Sequence, residues 1–181
     1  MSGMFDTDAF IEDCVTARAE ADPRRALKDV LERALDRLGE VADALRPERA
    51  GIVRLHVSPE LTVLNVVWAP GMRLKPHDHR VWAMIGIYSG AEDNTFFRRT
   101  QDGLVRSGGK ELRQRELCLL GDDTIHAVTN PLREFTGAIH VYGGDFFSTE
   151  RSEWDPVTLE ERPYDVAATL RTFDEANATT T

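Results

Sequence analysis

The sequence has two cysteines, Cys14 and Cys118, in 181 residues. That excludes a disulfide framework and points to a reducing compartment. Basic residues are outnumbered, 22 Lys and Arg against 31 Asp and Glu, for a formal net charge of −9. Recognition of nucleic acid or of an anionic membrane draws on clustered cations, so neither partner is expected. No apolar stretch approaches the roughly 18 residues that a membrane span needs. The first 13 residues are acidic and lack the basic segment and apolar run of a secretory signal, so a cytoplasmic protein is expected. With 41% hydrophobic and 29% charged residues, the composition is that of one folded domain with flanks, not of a disordered or fibrous chain.

What is present is unevenly distributed. Residues 1–50 carry a net charge of −4, residues 51–150 a net −1, and residues 151–181 a net −4. The nearly neutral middle holds every histidine: His56, His77, His79, His126 and His140. The first fifty residues read as a helical flank. From Pro23 the apolar positions Leu27, Val30, Leu31, Ala34, Leu35, Leu38, Val41, Ala42 and Leu45 follow the spacing of one helical stripe. Asp22-Pro23 reads as a start and Arg46-Pro47 as a stop, and a shorter helix is expected around 7–20.

After Gly51 the pattern becomes that of short strands. Candidates are 52–57, 61–68, 79–88, 95–101, 116–120, 125–129 and 136–142. Turn signals are read at Ser58-Pro59-Glu60, Ala69-Pro70-Gly71, Gly90 to Asn94, Ser107-Gly108-Gly109, Gly121-Asp122-Asp123, Asn130-Pro131 and Gly143-Gly144. Strands at this spacing without intervening helices indicate an antiparallel sandwich or barrel over 51–150. Residues 151–181 form a C-terminal extension expected to pack on the barrel, anchored by Trp154. A short helix is read at 166–173 and a disordered end at 177–181.

His77-Asp78-His79 is the sharpest feature. On a strand the two histidines point one way and Asp78 the other, which makes half of a metal site. Five residues separate Gly71 from His77. A second segment, from Gly121, carries His126 followed by three residues and Asn130. These two stretches resemble the signature motifs of the cupin superfamily, which implies a mainly β protein. Its fold would be a double-stranded β-helix, or jelly-roll barrel, holding one metal. The usual first motif places a glutamate with three or four residues between it and the second histidine, and here Ala83 and Met84 stand in those places. What remains is three neutral histidines, His77, His79 and His126.

That ligand set resembles the thiol dioxygenase, or cysteine dioxygenase-like, branch of the cupins. Trp68 and the stretch Thr136 to Tyr142 fit the same branch, with Ala138 where the family carries a serine and with His140 and Tyr142 retained. Met84 stands where animal-type members place a cross-linked cysteine, so the resemblance is to bacterial members without the cross-link. It implies Fe(II) on His77, His79 and His126, although three imidazoles also accept nickel, zinc or copper. It further implies that Tyr142, oriented by His140, hydrogen-bonds the oxygen substrate. An arginine would bind the substrate carboxylate: Arg54 by position, with Arg73, Arg98, Arg99 and Arg133 as competitors. The partners implied are O2 and a small thiol of the cysteine or 3-mercaptopropionate type, with the chain a monomer or homodimer. Two alternatives stay open: a three-histidine oxygenase cleaving a C–C bond in a diketone-like substrate, and a non-enzymatic cupin that binds a metal or ligand.

Overall fold

The computed structural model describes residues 4–179. Three helices come first: α1 (Thr7–Arg18), α2 (Pro23–Leu35) and α3 (Leu38–Leu45). Asp6 and Asp22 cap α1 and α2: the Asp6 carboxylate accepts the N–H groups of Asp8 and Ala9, and that of Asp22 accepts the Arg25 N–H. The apolar stripe read from Pro23 to Leu45 is continuous in sequence, yet the helix breaks at Asp36-Arg37. Both halves lie against the same strand, β4 (Ala83–Ser89), and the break lets the stripe follow the curved sheet.

The remaining strands are β1 (Gly51–Val57), β2 (Thr62–Trp68), β3 (Arg73–Asp78), β5 (Ala91–Thr100), β6 (Gly103–Arg113), β7 (Leu117–Leu120), β8 (Ile125–Thr129), β9 (Thr136–Tyr142), β10 (Ser152–Trp154) and β11 (Glu161–Pro163). One sheet has the order β1-β2-β9-β4-β7, the other β11-β10-β3-β8-β5-β6, and every pairing is antiparallel. The chain is therefore mainly β, as the strand spacing predicts, with two sheets enclosing one core.

Alternation along the first sheet builds two apolar layers. Leu64, Val66, Trp68, Ala83, Ile85, Ile87, Ala138 and Tyr142 point into the barrel. Val63, Met84, Tyr88, Ile139 and Val141 point outward and are covered by Leu27, Leu31, Leu35 and Val41 of the helices. This outer layer explains why β2, β4 and β9 are apolar on both faces.

Two turn signals lie largely or wholly inside strands. Gly90 to Asn94 was expected as a loop, but β5 starts at Ala91. Gly90 has φ 77, and a Cβ there would sit 2.4 Å from Thr136 Oγ1. Thr136 Oγ1 in turn accepts the Ala91 N–H at 3.0 Å, locking the start of β5 onto β9. Likewise Ser107-Gly108-Gly109 lies within β6, opposite Thr95 and Phe96 and beside a bulge, while the β5–β6 turn falls at Gln101-Asp102.

The C-terminal extension packs on the barrel, β10 and β11 at the edge of the second sheet beside β3. Glu153 of β10 pairs with His77 of β3, and Trp154 is buried against Leu104 and Ile125. Helix α4 (Val166–Ala178) stacks Phe173 on Trp68, ring centroids 5.3 Å apart. The end was expected to fray from Asn177, but Asn177 is helical. Its amide donates to the Ala50 carbonyl at 2.9 Å and accepts the Ala50 N–H at 2.8 Å, a two-way latch onto the residue before β1. The rest of that expectation, at Thr180 and Thr181, lies outside the described residues. Among those described, no helix is long and apolar enough to cross a membrane.

Candidate metal centre

β3 and β8 are neighbours, and their register sets His77 directly opposite His126. A register shift between Leu74 and His77 coincides with Pro76, which has no N–H for the ladder. His79 follows the end of β3, where Arg80 takes a left-handed φ of 57. Asp78 faces away, as alternation requires, and holds the turn from behind. Its buried carboxylate accepts the Ser152 N–H at 2.7 Å and pairs with Arg80 Nε at 2.7 Å. The result is three buried imidazoles whose ligand atoms lie within 4.8 Å of one another. His79 Nε2 is 3.2 Å from the Nε2 of both His77 and His126.

The outer nitrogens show which way the lone pairs point. His77 Nδ1 donates to the Lys75 carbonyl at 2.9 Å, and His126 Nδ1 donates to Asn94 Oδ1 at 2.6 Å. A carbonyl oxygen only accepts, so both rings carry their proton on Nδ1 and turn an unprotonated Nε2 inward. Asn94 is itself oriented, because its amide nitrogen donates to Glu92 Oε1 at 3.0 Å. Burial drives the His77 imidazole from 6.5 down to about 4, against the opposing bond to Lys75, and holds His79 and His126 well below the usual range. All three are neutral at pH 7. The lone pairs of His77 Nε2 and His126 Nε2 converge on His79 Nε2, whose other ring nitrogen is buried without a partner, and the donor set fits a divalent transition metal.

Glu92 was not singled out from the sequence, because its stretch reads as a turn. It is fully buried on the inner face of β5. Oε2 accepts the Trp68 indole N–H at 2.8 Å and lies 3.7 Å from His140 Nε2. Trp68 therefore anchors this carboxylate. Asn130, the last residue of the second motif, is structural: its amide donates to the carbonyls of Trp68, Ala69 and Glu134 and holds the end of β2 against the loop before β9.

A cavity of about 20 Å³ adjoins the histidines, lined also by Trp68, His140, Tyr142, Phe146 and Tyr164. That is room for about one water. His140 Nδ1 is 2.9 Å from the Tyr142 hydroxyl, and the Tyr142 ring lies edge-on to His79, centroids 5.1 Å apart. Burial pushes the Tyr142 hydroxyl well above its ordinary value, so it keeps its proton. Outside lies a groove of about 840 Å³ whose wall includes Arg80, Phe147, Arg151, Arg162 and Tyr164. Tyr164 belongs to both spaces.

The arginines divide clearly. Arg54 is exposed and does not line the cavity; its guanidinium lies 3.8 Å from the Phe147 ring centroid. Arg99 pairs with Glu161, and Arg73, Arg98 and Arg133 are exposed. Arg151, which sequence reasoning passed over, is 8% exposed and sandwiched between Phe146 and Tyr164, 3.9 and 4.2 Å from their centroids. Nη1 donates to the carbonyls of Phe146 and Thr149, while the buried Nε has no partner. Among the described residues no carboxylate pairs with it: Glu153, two residues on, is taken by Lys75 and Arg162. No sequence signal marked Arg151, since its distinction is burial without a counter-charge.

Two opposed antiparallel sheets with this strand order, carrying the histidines on β3, at its end and on β8, are the double-stranded β-helix of the cupins. The chain is a cupin-fold protein with a buried three-histidine group suited to a metal. No protein-family model matches it. Among solved structures it is similar to a protein from Bacillus halodurans, at 18% identity over 57% of this chain and 77% of that one, TM-score 0.50. It is also similar to an RmlC-like cupin family protein with a double-stranded β-helix fold from Methanocaldococcus jannaschii (9% identity, 55% and 84% covered, TM-score 0.46). A cupin superfamily protein from Desulfitobacterium hafniense gives 14% identity, 52% and 77% covered, TM-score 0.44. At these identities the likeness is one of fold.

Proposed function

We propose that the chain is a non-haem Fe(II)-dependent dioxygenase that converts a small carboxylate-bearing thiol, of the cysteine or 3-mercaptopropionate type, to its sulfinate. One observation carries the reading: the ligand group consists of three neutral imidazoles with no carboxylate. A divalent ion held by neutral ligands keeps both its charges and favours an anionic ligand such as a thiolate. When bound, the metal would lower the thiol pKa and bring sulfur and O2 together. The reaction balances as one thiol plus one O2 giving one sulfinic acid, with both oxygen atoms on sulfur.

The chain's own residues supply the rest. The substrate carboxylate is assigned to Arg151, which lines the outer groove, packs on the cavity residues Phe146 and Tyr164, and has an unused donor in its Nε. A guanidinium binds a carboxylate at two points, which fixes the far end of the substrate. Tyr142 holds a proton beside the cavity, and His140 Nδ1 can take or return it. Phe146 and Tyr164 stand at the cavity wall, and in that position they limit the access of water to the metal site.

Oxygen uptake by the Fe(II)-loaded protein tests the reading across cysteine, 3-mercaptopropionate, cysteamine and a diketone. Uptake is expected with the two carboxylate-bearing thiols, at least about tenfold above cysteamine, and is expected to fall in Arg151→Gln more than in Arg54→Gln. Uptake with the diketone alone would replace this reading by C–C cleavage, and no uptake at all would leave a binding protein.

A further inference from the structure

Glu92 is a buried ionisable group of the barrel interior that the proposed chemistry has not used. It is completely removed from solvent, and its two hydrogen-bond donors, Trp68 Nε1 and Asn94 Nδ2, are neutral. No lysine or arginine pairs with it among the described residues; the nearest basic nitrogen recorded is His140 Nε2, 3.7 Å from Oε2. That nitrogen is itself buried and has no other partner. On the far side of the ring, Nδ1 is 2.9 Å from the Tyr142 hydroxyl. Glu92, His140 and Tyr142 thus form a line from the barrel interior to the cavity beside the histidines.

The chemistry of the three groups orders the protons along that line. Both oxygens of Glu92 already act as acceptors, Oε1 from Asn94 and Oε2 from Trp68, so a donor on the ring nitrogen that faces Oε2 is favoured. His140 can be that donor only with its proton on Nε2. Nδ1 then presents a lone pair to Tyr142, the one arrangement in which the hydroxyl proton is held on the line. We propose that Glu92 is a positioning residue of this centre, which holds His140 in the Nε2–H form and so aims Nδ1 at the Tyr142 hydroxyl. The inference rests on the dioxygenase reading for what Tyr142 does there, but not for the order of protons.

A proton that leaves Tyr142 Oη forms a bond to Nδ1 while Nε2–H stays on the side of Glu92 Oε2, 3.7 Å away. Ala138 provides no side-chain hydroxyl on this face of β9, so among the residues described here the orientation of His140 falls to Glu92. The carboxylate is locked in place by structure already described. Trp68 is stacked on Phe173, and Thr136 pins the start of β5 one residue before Glu92.

The test is long-range ¹H–¹⁵N correlation NMR on [¹⁵N]histidine-labelled, zinc-loaded protein, with His140 assigned by its absence in His140→Gln. The wild type is expected to show His140 Nε2 as a protonated nitrogen. In Glu92→Gln, whose amide nitrogen can donate to Nε2, the proton is expected to move to Nδ1. A wild-type His140 with a bare Nε2 overturns the proposal without any variant, so failure of Glu92→Gln to fold leaves it testable. An unchanged His140 pattern in a folded Glu92→Gln also overturns it. In the Fe(II)-loaded protein, Glu92→Gln is expected to lower kcat for 3-mercaptopropionate at least about tenfold with KM within about twofold. A loss confined to KM would refute a positioning role. If no thiol is oxidised by the wild type, the dioxygenase reading fails while the NMR result still decides the role of Glu92.

Discussion

The buried histidines should make the metal-free protein sensitive to mild acid, and His77 allows the size of the effect to be worked out. In the unfolded chain its imidazole titrates near 6.5, and in the fold burial lowers it to about 4. Between those values the unfolded chain binds the proton and the folded chain does not, so stability falls as pH falls. The contribution is complete above 6.5, erodes on the way down and is fully lost below about 4. At about 1.4 kcal/mol per pH unit the total is about 3 kcal/mol. His79 and His126 are shifted in the same direction by the same cause and add to it. The assay is urea unfolding of the metal-stripped protein from pH 7.5 to pH 4, compared with His77→Gln, which has nothing to titrate at that position. Carboxylates common to both proteins cancel in the difference. Wild type should lose about 3 kcal/mol more than the variant over this range, most of it below pH 6.5. A difference under about 1 kcal/mol would mean that His77 is hydrated or already charged in the fold, and would refute the argument that it is held neutral for a metal.

Two further outcomes are expected. His126→Ala removes one of three converging Nε2 atoms and should reduce bound iron or zinc, measured by elemental analysis after anaerobic loading and desalting, from about one per chain to a small fraction. Retention of a full equivalent would place the metal elsewhere. Asn177→Ala strips the latch from both backbone groups of the buried Ala50 and should cost about 1–3 kcal/mol, seen as a melting temperature lower by several degrees. An unchanged melt would show that α4 is held by Phe173 alone.

Period-2 and period-3.6 patterns survive without knowledge of neighbours, and the fold class was legible for that reason. Asp22-Pro23 starts its helix where capping chemistry says, and the strands from Ile52 to Trp68 and from Thr136 to Tyr142 stand close to where their β-branched runs lie. The legible part of the site was the part written as motif spacing: His77 and His79 two apart, His126 four positions before Asn130. Misread stretches share one cause. Gly90 to Asn94 and Ser107 to Gly109 have turn composition, yet Ala91 to Asn94 and Ser107 to Gly109 are extended, because pairing with β6, β8 and β5 supplies hydrogen bonds that outweigh local preference. The first of these misreadings hid Glu92 and Asn94, since a polar residue placed in a loop raises no question about burial.

By itself the sequence determined that this is an acidic chain with a helical flank and a β domain, and that three histidines stand at metal-motif spacing with no carboxylate in the usual place. Those properties follow from residue identity and separation along the chain. Only the tertiary structure decided which polar groups face one another. Asn94 and Glu92 lie behind the histidines because β5 pairs with β8, and Trp68 reaches Glu92 across the barrel. Arg151 becomes a cation without a counter-charge because Phe146 and Tyr164 close over it, while Arg54 stays at the surface. The physical reason is that burial and electrostatic partnership are properties of distance in space. They are set when strands remote in sequence come into register, and no local pattern carries them.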